Sequence, residues 1–230
     1  MNFRMIGQVI GRVLCIEAAL MLLPMVVALA YGETPAPFLI TIAVTGGIGL
    51  VMWRVRAKSG GMTARDGFLI VGLSWIAMSL FGALLFVLTG DIPNYVDALF
   101  ETISGLTTTG ASVVTAPEEM TRGGMFWRLF THWIGGMGIL VFVLAVLPMS
   151  GNRSMHIMRA EVPGPTVGKL VPRIRKTASI LYLLYIALTV IETVLLLAGG
   201  MSFYDALLHA FATAGTGGLS TRALSIGYYN

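Results

Sequence analysis

Apolar residues fall in long runs along this chain, separated by short polar clusters, and the pattern predicts membrane-spanning helices before any motif is considered. Val9 to Ala30 forms the first run, interrupted by Arg12, Glu17 and Pro24. Phe38 to Trp53 is a second span near the minimum length, where Gly46, Gly47 and Gly49 let another helix approach. Gly67 to Leu88, Phe126 to Leu147 and Thr177 to Ala198 supply a third, fourth and fifth. Two further apolar runs are too short to cross: Tyr95 to Ser104, after the break Gly90-Asp91-Ile92-Pro93-Asn94, and Ser202 to Thr213, after Gly199-Gly200. Each leads into small and hydroxylated residues, Gly105 to Ser112 and Ala214 to Ser220, so both read as re-entrant segments. Asn94 is placed to cap the first short helix, and Asp97 and Asp205 are helix-start charges that suit the dipole.

The predicted fold class is an all-α membrane protein: two leading transmembrane helices, then span–pore-helix–span repeats, one complete and one lacking its last span. Residues 1–66 form the leading hairpin with a cytoplasmic loop, 67–150 the first unit, 151–176 a basic cytoplasmic loop, and 177–230 the incomplete second unit.

Composition supports this class. Of 230 residues, 56% are hydrophobic and 11% charged, whereas a soluble domain is about half apolar and about a quarter charged. The single cysteine, Cys15, excludes an internal disulfide and a cysteine-based metal site. The net charge of +4 is a topology signal rather than a nucleic-acid footprint, because the basic residues lie between apolar runs. The first apolar run is too long for a cleavable signal peptide, carries Glu17 and lacks a small-residue cleavage site.

With five alternating spans, Arg4, Arg12, the 54–65 loop and the 150–176 loop share one side, which is therefore cytoplasmic and includes the N-terminus. Only Arg122, Arg128 and Arg222 fall outside, beside Glu33, Asp91, Asp97, Glu118, Glu119 and Asp205. An acidic outer face raises the local cation concentration.

The re-entrant stretches carry the candidate chemistry. Gly105 to Ser112 has no side chain suited to acid, base or nucleophile work. It offers backbone carbonyls and threonine hydroxyls, which suit a hard cation shedding its water. Aligning Asp97-Ala98-Leu99-Phe100 with Asp205-Ala206-Leu207-Leu208 without gaps brings Thr108 to Thr216, Thr109 to Gly217, Gly110 to Gly218 and Ser112 to Ser220. Each short helix aims its negative C-terminal end inward, and glycine permits the positive φ that lets successive carbonyls point one way. Four such strands make rings of oxygens, and two cannot close one.

Several other residues read as structural. Arg12 and Glu17 are interfacial anchors, Glu101 a buried carboxylate bonded to backbone or tyrosine, and His132 a hydrogen-bonded packing residue. Gly135, Gly136 and Gly138 allow tight packing on the pore helix. An enzyme is not expected, since His132, His156 and His209 lie far apart and no His-Glu-x-x-His or Gly-x-Ser-x-Gly pattern occurs.

The chain resembles the Trk/Ktr/HKT superfamily of potassium transporters, in its bacterial TrkH/TrkG-type branch. The resemblance rests on Gly105-Leu106-Thr107-Thr108-Thr109-Gly110-Ala111-Ser112, His132-Trp133-Ile134-Gly135-Gly136-Met137-Gly138, Glu161-Val162-Pro163-Gly164-Pro165 with Pro172-Arg173-Ile174, and the glycine-rich Ala214 to Thr221. It implies four span–pore–span units around a pseudo-fourfold pore and potassium uptake across the bacterial inner membrane, with K+ as the transported ion and no organic cofactor. It also implies a homodimer, a cytoplasmic nucleotide-binding regulatory subunit of the TrkA type, and contact with membrane lipid. By position, Thr108, Thr109 and Gly110 match the first potassium-binding filter strand and Thr216, Gly217 and Gly218 the second. Thr107, Ala111, Ser112, Leu219 and Ser220 support them. Units three and four of the family pattern are not in these 230 residues, so a fragment is expected. The alternative is a half-pore or non-conducting subunit completed by another chain.

Overall fold

The computed structural model describes residues 3–55, 64–138 and 174–229. Among these residues there are eight α-helices and no strand. They are α1 (Phe3–Leu20), α2 (Leu22–Ala30), α3 (Ala36–Arg54), α4 (Ala64–Thr89), α5 (Tyr95–Leu106), α6 (Arg122–Met137), α7 (Ile174–Ala198) and α8 (Phe203–Ala214), with short 3-10 turns at Pro117–Glu119 and Ser225–Tyr229. Four stretches are long and apolar enough to cross a membrane: Phe3–Ala30, Ala36–Arg54, Arg65–Thr89 and Ser179–Ala198.

The first stretch is two helices because Pro24 cannot donate to the Leu20 carbonyl and its ring crowds that turn. The chain stays nearly helical across the break at Met21: Met21 N–H bonds the Glu17 carbonyl at 3.0 Å and Met25 N–H the Met21 carbonyl at 3.3 Å. On the other side of the hairpin, α1 and α3 meet glycine to glycine. A Cβ on Gly49 would lie 2.9 Å from both Cys15 Sγ and the Gly11 carbonyl, and one on Gly11 would lie 2.6 Å from the Gly49 carbonyl. Of the three glycines expected to admit a neighbour, Gly49 does so most closely, Gly46 meets Ala18 at 3.4 Å, and Gly47 faces open space.

The two short helices form where the chain breaks predict them. Asn94 accepts the Val96 N–H at 3.0 Å and starts α5, and Ser202 accepts the Asp205 N–H at 3.1 Å and starts α8. Twelve residues give each helix a length of roughly 18 Å, short of a bilayer core.

The fourth span differs from expectation. Its helix begins at Arg122, where Thr121 caps the Gly124 N–H at 3.0 Å, and it closes at Met137. Gly138 takes φ +65° and ends it. Residues 139–147 of the expected span, the 151–173 part of the basic loop and the Glu161-to-Pro165 motif lie outside the described residues.

The core lies between α1, α4, α5 and α6. Trp127 of α6 is its largest fully buried side chain, and its indole N–H donates to the Gly82 carbonyl of α4 at 3.1 Å. α8 joins through Phe211, whose ring packs against Phe126, Phe130 and Trp133 with centroids 5.5–5.8 Å apart.

Candidate ion-filter site

Both re-entrant helices end the same way, residue for residue. After α5, Thr108 takes φ +55°, its N–H bonds the Gly105 carbonyl at 3.0 Å, and Thr109 N–H bonds the Ser104 carbonyl at 2.9 Å. After α8, Thr216 takes φ +59°, its N–H bonds the Thr213 carbonyl at 2.8 Å, and Gly217 N–H bonds the Ala212 carbonyl at 2.9 Å. These paired bonds are Schellman closures, a motif usually built on glycine. Here a β-branched threonine occupies the left-handed position twice, which costs about 1–3 kcal/mol each and marks the segment as more than a turn.

Two residues later the left-handed conformation returns, at Gly110 (φ +75°) and Gly218 (φ +74°). The sign of φ thus alternates over 108–110 and again over 216–218. This is the pairing that the gapless alignment anticipates.

The strands differ in surroundings. A Cβ on Gly110 would overlap the Gly217 carbonyl oxygen, so the first strand touches the second at that point. A Cβ on Gly218 would meet nothing. A Cβ on Gly217 would overlap the His132 ring, which explains why the second strand has glycine where the first has Thr109. His132 is fully buried and fills the space between the second strand and α5. Gly135 lies against the Leu106 carbonyl of α5, and Gly136 against Tyr185 and Gly215. Gly135 and Gly136 therefore serve close packing, while Gly138 is a helix terminus.

The far ends of the strands are held by a polar cluster whose charged members, Glu101 and Arg128, are buried. Glu101 of α5 accepts Ser112 Oγ at 2.9 Å, the Val113 N–H at 3.0 Å and Arg128 Nε at 2.6 Å. Arg128 also donates from Nη2 to Ser112 Oγ at 2.8 Å and from Nη1 to the Ser220 carbonyl at 3.1 Å. The position equivalent to Glu101 is His209. Its Nδ1 donates to the Asp205 carbonyl at 2.8 Å, and Nε2 pairs with Ser220 Oγ at 2.9 Å. In each repeat, then, the seventh residue of the short helix holds the serine that closes the strand.

Asp205 shows how the outer end is fixed. Burial pushes its carboxyl up, but hydrogen bonds from Thr221 and Ser202 outweigh burial and hold it below the usual aspartate value. Leu219 and Ser220 are buried, whereas Thr107, Thr109, Ala111, Ser112, Thr216 and Gly218 are exposed. Thr108, Gly110 and Gly217 are half-buried. The strands 107–112 and 216–220 carry only Thr, Gly, Ala, Leu and Ser, so the oxygens they offer are carbonyls and hydroxyls.

The charge pattern assigns Arg128 only to the external side of the membrane. It is in fact 3% exposed and touches both strands. The readable signal was Glu101, a buried carboxylate needing a cation, together with an arginine on the helix face of His132, one turn earlier. Glu17, expected at the interface, is fully buried.

A sequence model of the TrkH family, described as cation transport protein, matches residues 36–230. The Trk system potassium uptake protein TrkH of Vibrio parahaemolyticus is 40% identical over 235 residues, covering 100% of this chain and 48% of that protein. The TrkG protein of Escherichia coli is 36% identical, again covering 100% of this chain and 48% of the relative. The crystal structure of the potassium transporter TrkH from Vibrio parahaemolyticus superposes with a TM-score of 0.81 at 38% identity, over 99% of this chain and 46% of that one. The chain spans about half the length of the relatives it matches. With the family match over most of its length, the chain belongs to the TrkH cation transport protein family.

Proposed function

We propose that the chain contributes two walls of a potassium-selective pore for uptake across the bacterial inner membrane, with the N-terminus cytoplasmic. Thr108, Thr109 and Gly110 and their counterparts Thr216, Gly217 and Gly218 are the ion-binding residues. Thr107, Ala111, Ser112, Leu219 and Ser220 support them. The single observation that carries this reading is the repeated backbone: positive-φ threonine, negative-φ residue, positive-φ glycine, each at the C-terminal end of a short re-entrant helix. That end is the negative pole of the helix and favours a cation. An alternating sign of φ lets successive carbonyls turn toward a common side, as a dehydrated potassium ion requires. The relatives are named potassium uptake proteins, which supports potassium as the ion.

A closed ring takes two more strands than these residues supply. The working pore then includes further sequence of the same protein, acts as a homodimer and is regulated by a cytoplasmic nucleotide-binding subunit.

The test is Gly110→Ser in the full-length protein. Serine at φ +75° is strained, and its Cβ overlaps the Gly217 carbonyl. Potassium over sodium selectivity should fall in a paired uptake assay, while membrane expression persists. Unchanged selectivity overturns the filter assignment. Growth of an uptake-deficient strain at low potassium gives a second readout. The 230-residue chain alone should not rescue it, and rescue would show that half-chains assemble a ring.

A further inference from the structure

We propose that the junction of α2, α6 and α8 holds the headgroup of a phosphoethanolamine lipid, with its phosphate on Arg122 and its ammonium on Glu33. Three helix ends meet there: α2 closes at Ala30, α6 begins at Arg122 and α8 begins at Phe203. Tyr31 and Tyr204 bring the first and third together, with ring centroids 5.6 Å apart. Tyr204 Oη donates to the Arg122 carbonyl at 2.6 Å, and the Arg122 guanidinium lies over both rings, 5.6 and 5.2 Å from their centroids. The membrane-length stretch Phe3–Ala30 ends at this junction, so the rings and the guanidinium stand at the depth where such side chains meet lipid headgroups.

Two opposite charges are left open at this junction. Arg122 is exposed, and its guanidinium has no hydrogen-bond or ion-pair partner among the described residues. Glu33 is half-buried and accepts the backbone N–H groups of Arg122 and Gly123, the latter at 3.0 Å, but forms no ion pair among the described residues. The other acids of this face are engaged elsewhere: Asp205 accepts the Ser202 and Thr221 hydroxyls, and Glu118 the Ala223 N–H. Along α2, Leu22, Val26 and Leu29 are 45%, 58% and 52% exposed and follow one another at helical spacing toward the Tyr31 turn, and Phe203 of α8 is 65% exposed. That apolar lane offers acyl chains a surface directly under the charged pair.

The two charges together select the headgroup. A purely anionic one gains little, because Glu33 offsets Arg122 and Asp205 adds a further negative charge. A zwitterion satisfies both. Its phosphate accepts the guanidinium N–H groups, a pairing whose planar fork arginine suits, and its ammonium donates to the Glu33 oxygens. Phosphatidylcholine carries the same phosphate, but its trimethylammonium has no N–H to give. None of these residues belongs to either filter strand, so the site stands apart from the pore assignment.

The test is native mass spectrometry of the full-length protein in detergent with added lipid. Phosphatidylethanolamine should bind about tenfold more tightly than phosphatidylcholine of the same chains, as one hydrogen bond to a charged group supplies. Affinity should fall along the N-methyl and N,N-dimethyl headgroups as N–H donors are lost. Glu33→Gln should abolish the preference, and Arg122→Gln should weaken binding of both lipids. A merely structural Glu33 would instead lower the unfolding temperature in Glu33→Gln and leave the lipid ratio as it was, which overturns the proposal. Equal binding of the two lipids by the wild type also overturns it, and so does tighter binding of phosphatidylglycerol, the mark of a site that reads anionic charge alone. Should Glu33→Gln fail to fold, Arg122→Gln decides: weaker phosphatidylethanolamine binding supports the site, and unaltered binding overturns it.

Discussion

Arg128 bonds to both halves of the candidate site: to Glu101 and Ser112 of the first unit and to the Ser220 carbonyl of the second. Removing it leaves the Glu101 carboxylate buried and unpaired, which costs about 3–5 kcal/mol, whereas removing both charges costs much less. Arg128→Met should therefore lower stability by about that amount in detergent unfolding, and Arg128→Met/Glu101→Gln should recover most of it. Equal losses in the single and double variants would show that the ion pair is not what holds the cluster. A charge count assigns Arg128 to the outer end of the fourth span but says nothing of its burial or its partner. Glu101 was legible as a buried acid, but a linear sequence does not name the partner of a residue 27 positions away.

At the scale of elements, the short helices and their strands were readable because their signals are local. Glycine breaks, Asn94 and Ser202 caps and runs too short to span all act within a turn or two. The left-handed threonines were not readable, since threonine disfavours that region and only the surrounding packing imposes it. The same holds for Gly138, which ends α6 inside a run that reads as continuous. His132 and Gly217 give a test at this scale. Gly217→Ala drives a methyl into the buried imidazole and should disorder the second strand, read as lower thermal stability and loss of potassium binding by calorimetry. Adding His132→Gly should restore part of both. No recovery in the double variant would mean that His132 is not the steric reason for glycine at 217.

At the scale of the whole molecule, the leading helices are fastened to the units that follow. Glu33, between α2 and α3, accepts the Arg122 and Gly123 N–H groups at the start of α6, the latter at 3.0 Å. The Arg122 guanidinium lies over Tyr31 and Tyr204, 5.6 and 5.2 Å from their centroids. A carboxylate on a helix N-terminus and a cation between two rings each stabilise that join. A second fastening links the segments after the two strands: Glu118 accepts the Ala223 N–H at 2.7 Å. That backbone hydrogen bond lowers the Glu118 carboxyl below its ordinary 4.5. A depressed carboxyl contributes its stability above the unfolded value and loses it as pH falls through the folded one. Protection of the Ala223 amide in hydrogen exchange should thus be full above about pH 4.5 and fall below it. In Glu118→Gln the pH dependence should vanish, and an identical fall in that variant would assign it to another group.

The sequence by itself determined the class, the bounds of the second, third and fifth spans to within a few residues and the matching of the two short helices, because hydrophobic length, capping and spacing are properties of neighbouring positions. It also determined which residues bear the candidate oxygens, Thr107 to Ser112 and Thr216 to Ser220. Only the tertiary structure decided that the two strands touch at Gly110 and Gly217, that Arg128 is buried between them, that His132 takes the place of a side chain at 217, and that Glu17 is buried rather than at the interface. Each of these depends on which faces of distant helices meet, and burial turns a charge or a missing Cβ from a local feature into a constraint shared across the fold.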